Sequence, residues 1–307
     1  MNRGVTDQKH GLRLSPKTKG QLGLWTFILP ALLIVLVVQL YPLIYSLIVS
    51  FMHWSLMDSD YPYGFTFGNF GSVLKNPMFL SACQISVVFM IGTTLSEVFL
   101  GFILAYALKG ATAFIKISRT ILMIPMTIAP VASGIMWRMF LDGNNGLLNN
   151  LLGLSGIKGP NWLGDPNYAL WGSMIVDVWL WTPFAMIMFV AALNSISEEW
   201  FEAARVDGAT RMGIIKNIII PLLTPAAILI LIFRVIDTFF VFDQIYTLTY
   251  GGPGTSTQVV SLYIYNQGLK YFNISQAAAA SWLTMAVAMV IAVLLLKIKT
   301  KVEKSMY

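Results

Sequence analysis

Residues 271–296 read YFNISQAAAASWLTMAVAMVIAVLLL, without one Asp, Glu, Lys or Arg. A helix rises about 1.5 Å per residue, so about 20 apolar residues cross the roughly 30 Å hydrocarbon core of a bilayer. Strands of a membrane barrel would be about 10 residues long and would alternate apolar with polar. This run does not alternate, and backbone in lipid must satisfy its own hydrogen bonds, so it is expected to be a transmembrane helix. Five further stretches share the pattern. Residues 24–50 carry no charge, 77–108 carry only Glu97, and 120–141 carry only Arg138. Residues 167–197 carry only Asp177, and 218–244 carry Arg234, Asp237 and Asp243. The first run is longer than the 7–15 residues of a signal-peptide core and no small-x-small site follows it, so it reads as a retained helix. The expectation is an all-α integral membrane protein of six transmembrane helices.

Composition agrees. Of the 307 residues 57% are apolar and only 11% charged, where a soluble domain carries about 25% charged residues. The mean hydropathy is +0.71. A soluble globular enzyme and a disordered chain are both excluded on these grounds. The single cysteine, Cys83, rules out a disulfide framework and a CxxC site, and His10 and His53 lie too far apart in sequence to suggest a metal cluster.

The net charge of +6 is a topology signal. Arg3, Lys9, Arg13, Lys17 and Lys19 precede the first span. Lys109, Lys116 and Arg119 follow the second; Arg205, Arg211 and Lys216 follow the fourth; Lys297, Lys299, Lys301 and Lys304 follow the sixth. The opposite side has Lys75, Lys158, Lys270 and the borderline Arg138. The positive-inside rule therefore puts both termini in the cytoplasm and supports an even number of spans. The expected organisation is a cytoplasmic arm over 1–23, a transmembrane domain over 24–296 and a cytoplasmic tail over 297–307. Trp25, Trp54, Trp162 and Trp171 are candidate anchors at the membrane interface.

One cytoplasmic loop, about 195–217, is charged and helix-like. Ser195 with Glu198 fits a capping box, and Glu198, Glu199 and Glu202 make the first turns acidic. Gly208 permits a sharp bend and Thr210 can cap the following helix. The expected product is a short helix outside the bilayer between spans four and five. Ala203 and Ala204 would offer a shallow face to another protein.

The pattern Glu202-Ala203-Ala204, three residues, Gly208, nine residues, Ile218-x-Ile220-Pro221 resembles the EAA loop of ABC-importer permeases. The usual form ends in Ile-x-Leu-Pro, from which Ile220 departs mildly. The run Ala203-Ala204-Arg205-Val206-Asp207-Gly208-Ala209 resembles the binding-protein-dependent sugar permeases of maltose and glycerol-3-phosphate type. Ile124-Pro125, Pro130 and Trp137-Arg138 resemble the third core helix of that group, and Gly251-Gly252-Pro253 resembles a turn carried by one member of the permease pair. The resemblance covers roughly residues 20–300.

The resemblance implies an ATP-driven ABC importer of the bacterial or archaeal cytoplasmic (inner) membrane that translocates a sugar or sugar derivative. Its partners would be a second homologous permease, two cytoplasmic ATPase subunits, and a periplasmic or lipid-anchored substrate-binding protein. Glu202, Ala203, Ala204, Asp207 and Gly208 would couple to the ATPase. The chain has no Gly-Lys pair and so no phosphate loop of its own. No cofactor is expected in it, and ATP and Mg would be bound by the partner ATPases.

Charges inside a membrane are costly and mark function or helix pairing. Asp177, Trp181 and Phe184 share one face of span four; Arg234, Asp237 and Thr238 share one face of span five. In maltose-type permeases the residues lining the sugar site come from the helices flanking the EAA loop, so these six form a candidate substrate path. The alternative is a structural pair, Arg234–Asp237 or Arg234–Asp177, without substrate contact. Arg234 hints at an anionic sugar unless Asp177 and Asp237 neutralise it. Glu97 is read as bonding a neighbouring helix or polar cavity, with a proton or ion site as the alternative. At the level of function the competing class is an ion-gradient-driven secondary transporter or channel subunit. An intramembrane enzyme is rejected, because Asp177 with Asp237 is the only conceivable dyad and Arg234 beside it ill suits an acid–base pair.

Overall fold

The computed structural model describes residues 28–58 and 60–306. The arm over 1–23, with Trp25 and the start of the first span, lies outside the described residues. The chain divides into two compact units, Met1–Val49 and Ser50–Tyr307. The described part of the first belongs to helix α1, Ile28–Ser50. The second unit holds α2 (Gly68–Lys75), α3 (Pro77–Ala107), α4 (Ala113–Met123), α5 (Pro130–Phe140), α6 (Leu147–Leu154) and α7 (Ala169–Asn194). After these come α8 (Glu198–Val206), α9 (Arg211–Phe239), α10 (Asp243–Leu248), α11 (Val260–Tyr265) and α12 (Ile274–Met306). Among the described residues the only β contact is one isolated bridge, His53 with Tyr63.

Five of these helices, α1, α3, α7, α9 and α12, are long and apolar enough to cross a membrane. The stretch 120–141, expected as one span, is divided. Helix α4 ends at Met123, a short 3-10 turn runs over Pro125–Thr127, and α5 begins at Pro130. Pro125 and Pro130 lack the N–H that would continue the ladder, and residues before proline are pushed out of the helical region. Ala129, just before Pro130, is accordingly extended with ψ of 136°, and Ile128 is extended with it at 132°, whereas Ile124 before Pro125 stays helical. Two short helices, α10 and α11, lie between α9 and α12.

Two wide π turns, Leu36–Leu40 in α1 and Ile215–Ile219 in α9, each end two residues before a proline, Pro42 and Pro221. A proline ring clashes with the carbonyl four residues earlier, and a wider turn makes room for it.

Helix α3 shows how the second unit is built. Asn76 caps it, accepting from the Met78 N–H at 2.9 Å, with Pro77 in the first turn. Its buried residues include the apolar Phe79, Ala82, Phe89 and Met90 together with the polar Ser86, Thr93, Thr94 and Glu97, whereas Val88, Ile91, Leu95 and Phe99 are exposed. The polar side chains Ser86, Thr93, Thr94 and Glu97 face inward while large apolar groups also cover the outside, unlike a helix in water. Lipid is the solvent that makes this arrangement favourable. Helix α3 packs along α7, and α9 packs on α3, α7 and α12. The approach of α3 to α7 is close because residue 101 is glycine: a Cβ there would lie 2.5 Å from the Cβ of Ala185.

Candidate functional site

Three helices deliver charged side chains to one buried point. Arg234 of α9, 2% exposed, donates from Nε to Glu97 Oε2 of α3 at 2.5 Å. Its Nη2 donates to Glu97 Oε1 and to Asp177 Oδ2 of α7, both at 2.8 Å. Its Nη1 donates to Asp237 Oδ2 at 2.5 Å. The Glu97 contact is the two-pronged fork that matches guanidinium to carboxylate. Thr238 Oγ1 donates to the Arg234 carbonyl at 2.6 Å and lies 3.4 Å from Thr94 Oγ1. The guanidinium carbon also stands 4.8 Å from the centre of the Trp181 ring, within cation–π reach.

Of the six residues singled out as a substrate path, the structure therefore brings together Asp177, Trp181, Arg234, Asp237 and Thr238. Phe184 lies apart from them. Its ring meets Phe233 edge-on at 6.2 Å and packs against the apolar core. Both structural pairs considered for Arg234 are present at once, and a third partner joins them. Glu97 fits the reading of a bond to a neighbouring helix, rather than the polar cavity or the proton or ion site set beside it, and 137 residues separate it from Arg234. The available signal was chemical: a carboxylate and a guanidinium in apolar spans each need an opposite charge.

A small cavity of about 130 Å³ opens beside this cluster, lined among others by Pro130, Asp177, Trp181, Asp237, Asp243 and Gln244. Asp177 lies 17 residues before the end of α7, about 26 Å along the helix from the loop that follows. The cavity thus occupies the half of the bundle remote from that loop.

At the loop itself, Ser197 rather than Ser195 caps α8, accepting from the Glu199 N–H at 3.4 Å. Ser195 instead closes α7, donating to the Ala192 carbonyl at 2.8 Å. The capping-box spacing fits Ser195, three residues before Glu198, and not Ser197, three residues before Trp200, so the pattern points to the wrong serine. Gly208 takes a φ of +74°, a left-handed bend that favours glycine, and Thr210 caps α9 through the Gly213 N–H at 3.1 Å.

Glu202, Ala203, Asp207 and Gly208 are exposed, as are the large side chains of Trp200 and Val206. Ala204 departs from the expected shallow face. It is 8% exposed and turns inward with Phe201, because successive helical positions lie about 100° apart. Phe201 is the anchor. It sits in a core with Ala105 of α3, Phe189 and Leu193 of α7, and Ile219 and Leu223 of α9. Lys109, just past α3, lies over the Phe201 ring and bridges to Glu198 at 3.7 Å.

Residues 97–302 match the family described as the binding-protein-dependent transport system inner membrane component. The chain belongs to this family. The matched region begins at Glu97 and takes in α8, α9 and the Arg234 cluster. The permease is 34% identical over 84% of its length, and 83% of the relative's, to a probable ABC transporter permease protein of Sinorhizobium fredii. It is 32% identical to the trehalose/maltose transport system permease protein MalF of Thermococcus litoralis, covering 89% of this chain and 92% of that one.

Among solved structures, it superposes with a TM-score of 0.79 on a chain of a bacterial alginate ABC transporter in complex with its alginate pentasaccharide-bound periplasmic protein. The two are 25% identical, over 92% of this chain and 96% of that one. The permease is thus an inner-membrane ABC importer subunit, a transport component rather than an enzyme, and an ion-gradient-driven transporter or channel subunit finds no support.

Proposed function

We propose that this permease is one half of the translocation pathway of a sugar importer. It crosses the membrane six times, with the divided segment α4–α5 as the third crossing and with both termini in the cytoplasm. The arm over 1–23 and the tail over 297–307 flank a single transmembrane domain. A second, homologous permease completes the pathway, an external binding protein delivers the sugar, and two ATPase subunits bind ATP and Mg and supply the energy.

Helix α8 is the coupling helix in this reading. The observation that carries it is the geometry of that helix. It is capped at its start, bent away at Gly208, plugged into three long helices through Phe201, and presents Glu202, Ala203 and Asp207 outward beside exposed Trp200 and Val206. A short rigid rod fixed at one face and free at the other transmits a push without bending. The cargo path is the cavity beside Arg234, where Asp177 and Asp237 accept hydroxyl hydrogens and Trp181 offers an apolar ring face. Sugar cargo is supported by relatives named for trehalose and maltose and for lactose transport. Cargo charge differs among the likenesses, since alginate is an acidic polysaccharide.

The test is assembly and coupling. Glu202→Lys and Gly208→Pro should abolish co-purification of the ATPases or uncouple ATP hydrolysis from uptake, while membrane insertion stays intact. Sustained uptake without any ATPase bound to the complex would defeat the reading.

A further inference from the structure

We propose that the wall around the cavity beside Arg234, a recess of about 130 Å³ that takes part of a sugar rather than a whole one, favours neutral or cationic hydroxyl-bearing cargo and repels anionic cargo. This rests on the reading of that cavity as the substrate path. A buried arginine near a transport path ordinarily suggests an anion site, because its fork suits carboxylate and phosphate. Here the fork is occupied. A guanidinium has five N–H donors. One from Nε, two from Nη2 and one from Nη1 already go to Glu97, Asp177 and Asp237. One donor is left for anything else, on a side chain 2% exposed that does not line the cavity.

What the cavity does present is acceptors. Asp177, Asp237 and Asp243 line it, and no Lys or Arg is among its described lining residues. Asp237 pairs with Arg234 through Oδ2 and keeps 58% of its side chain exposed. Counting Glu97 behind them, three carboxyls hold the guanidinium, and Asp243 adds a fourth to the cavity wall. The carboxylates do not converge as ion ligands: among the described residues no group of three His, Cys, Asp or Glu is placed to hold a metal. Separate carboxylates beside an indole suit sugar hydroxyls and amines, and a uronate or phosphate brought there meets like charge.

The test uses the permease assembled with its partner permease and ATPases in nanodiscs, without the binding protein, so that cargo selection upstream does not enter. Saturation-transfer NMR, which detects weak ligands, compares maltose with digalacturonate. Maltose should receive saturation and digalacturonate should not. Asp237→Asn with Asp243→Asn should raise the digalacturonate signal relative to maltose by about tenfold, since like-charge juxtaposition is being relieved. Asp243→Asn alone, at a residue with no salt bridge among those described, should move the ratio the same way and guards against misfolding of the double variant. Equal signals from the two sugars in the unaltered permease, or a ratio indifferent to both variants, overturns the proposal. Sugar signals that Trp181→Ala leaves unchanged would instead overturn the substrate-path reading beneath it.

Discussion

The ammonium of Lys109 stands 3.7 Å from the centre of the Phe201 ring, and the same nitrogen lies 3.7 Å from Glu198 Oε2. The end of α3 is thereby clamped to the start of α8. The salt bridge is exposed and contributes little, about 0–1 kcal/mol. The cation–π contact contributes about 0.5–1 kcal/mol at an exposed position and more when water is excluded. Lys109→Ala should therefore cost only about 1 kcal/mol of stability, within reach of a detergent thermal melt. Its larger effect should fall on coupling: ATP-driven uptake in proteoliposomes should drop several-fold while the ATPases still co-purify. Lys109→Arg, which keeps a cation over the ring, should restore uptake. Unimpaired uptake in Lys109→Ala would show that this clamp transmits nothing.

Arg234 binds three helices into one body, so removing it strands two buried carboxylates. Breaking a buried ion pair from one side costs about 3–5 kcal/mol. Arg234→Gln should sharply reduce the monodisperse fraction after solubilisation. Glu97→Gln combined with Arg234→Gln should recover much of that fraction, because two amides can bond each other without net charge. Uptake should stay impaired in the double variant, since Asp177 and Asp237 lose the group that holds them. Equal losses in the single and double variants would mean that the fork between Glu97 and Arg234 contributes nothing to folding.

The long helices were legible because lipid imposes a crude rule. An uncharged run of the right length has few other uses, and α3 and α7 follow the expected runs closely, while α12 runs on past the expected end at 296 to Met306. Limits appeared where the rule is silent. Residues 120–141 carry a single charge, Arg138, so hydropathy joined them, and only Pro125 with Pro130 marked the division. The expected fifth span starts at residue 218, but α9 starts at Arg211 because Thr210 caps it in the loop. The pairing of Glu97 with Arg234 was hidden for a different reason. Periodicity groups residues along one helix, and it gives no information on which faces of two helices meet. Asp177 and Asp237 were found because each shares a helix face with other marked residues. Glu97 stood alone on α3 and had no such neighbour. On α8 the helix itself was foreseen, but Ala204 turned inward, since composition does not say which side of a short amphipathic helix finds a core.

The contact of Gly101 with Ala185 can be tested by moving one methyl group. Gly101→Ala places a Cβ 2.5 Å from the Cβ of Ala185, closer than any real contact, so α3 and α7 must part. Overpacking of this kind costs about 1–3 kcal/mol. The thermal midpoint in detergent should fall accordingly. Gly101→Ala with Ala185→Gly carries the methyl to the other helix and should restore much of the loss. A double variant no better than the single one would show that the clash lies with the backbone of Ala185 and Met186, 3.0 Å from the added Cβ, rather than with the Ala185 methyl.

Val206 is 87% exposed at the end of α8 and Trp200 is 60% exposed near its start. On α3 such exposure is explained by lipid. On α8 it is not, because that helix carries Glu198, Glu199, Glu202 and Arg205 and belongs in water. Large apolar groups exposed among charges mark a protein contact. Val206→Asp should weaken binding of the ATPase subunits by at least about tenfold, the loss of roughly 1.4 kcal/mol, as read by retention of the ATPases on immobilised permease. The thermal midpoint of the permease alone should not move, since the side chain has nothing to lose within its own chain. Full retention of the ATPases by Val206→Asp would place their docking surface elsewhere than on this helix.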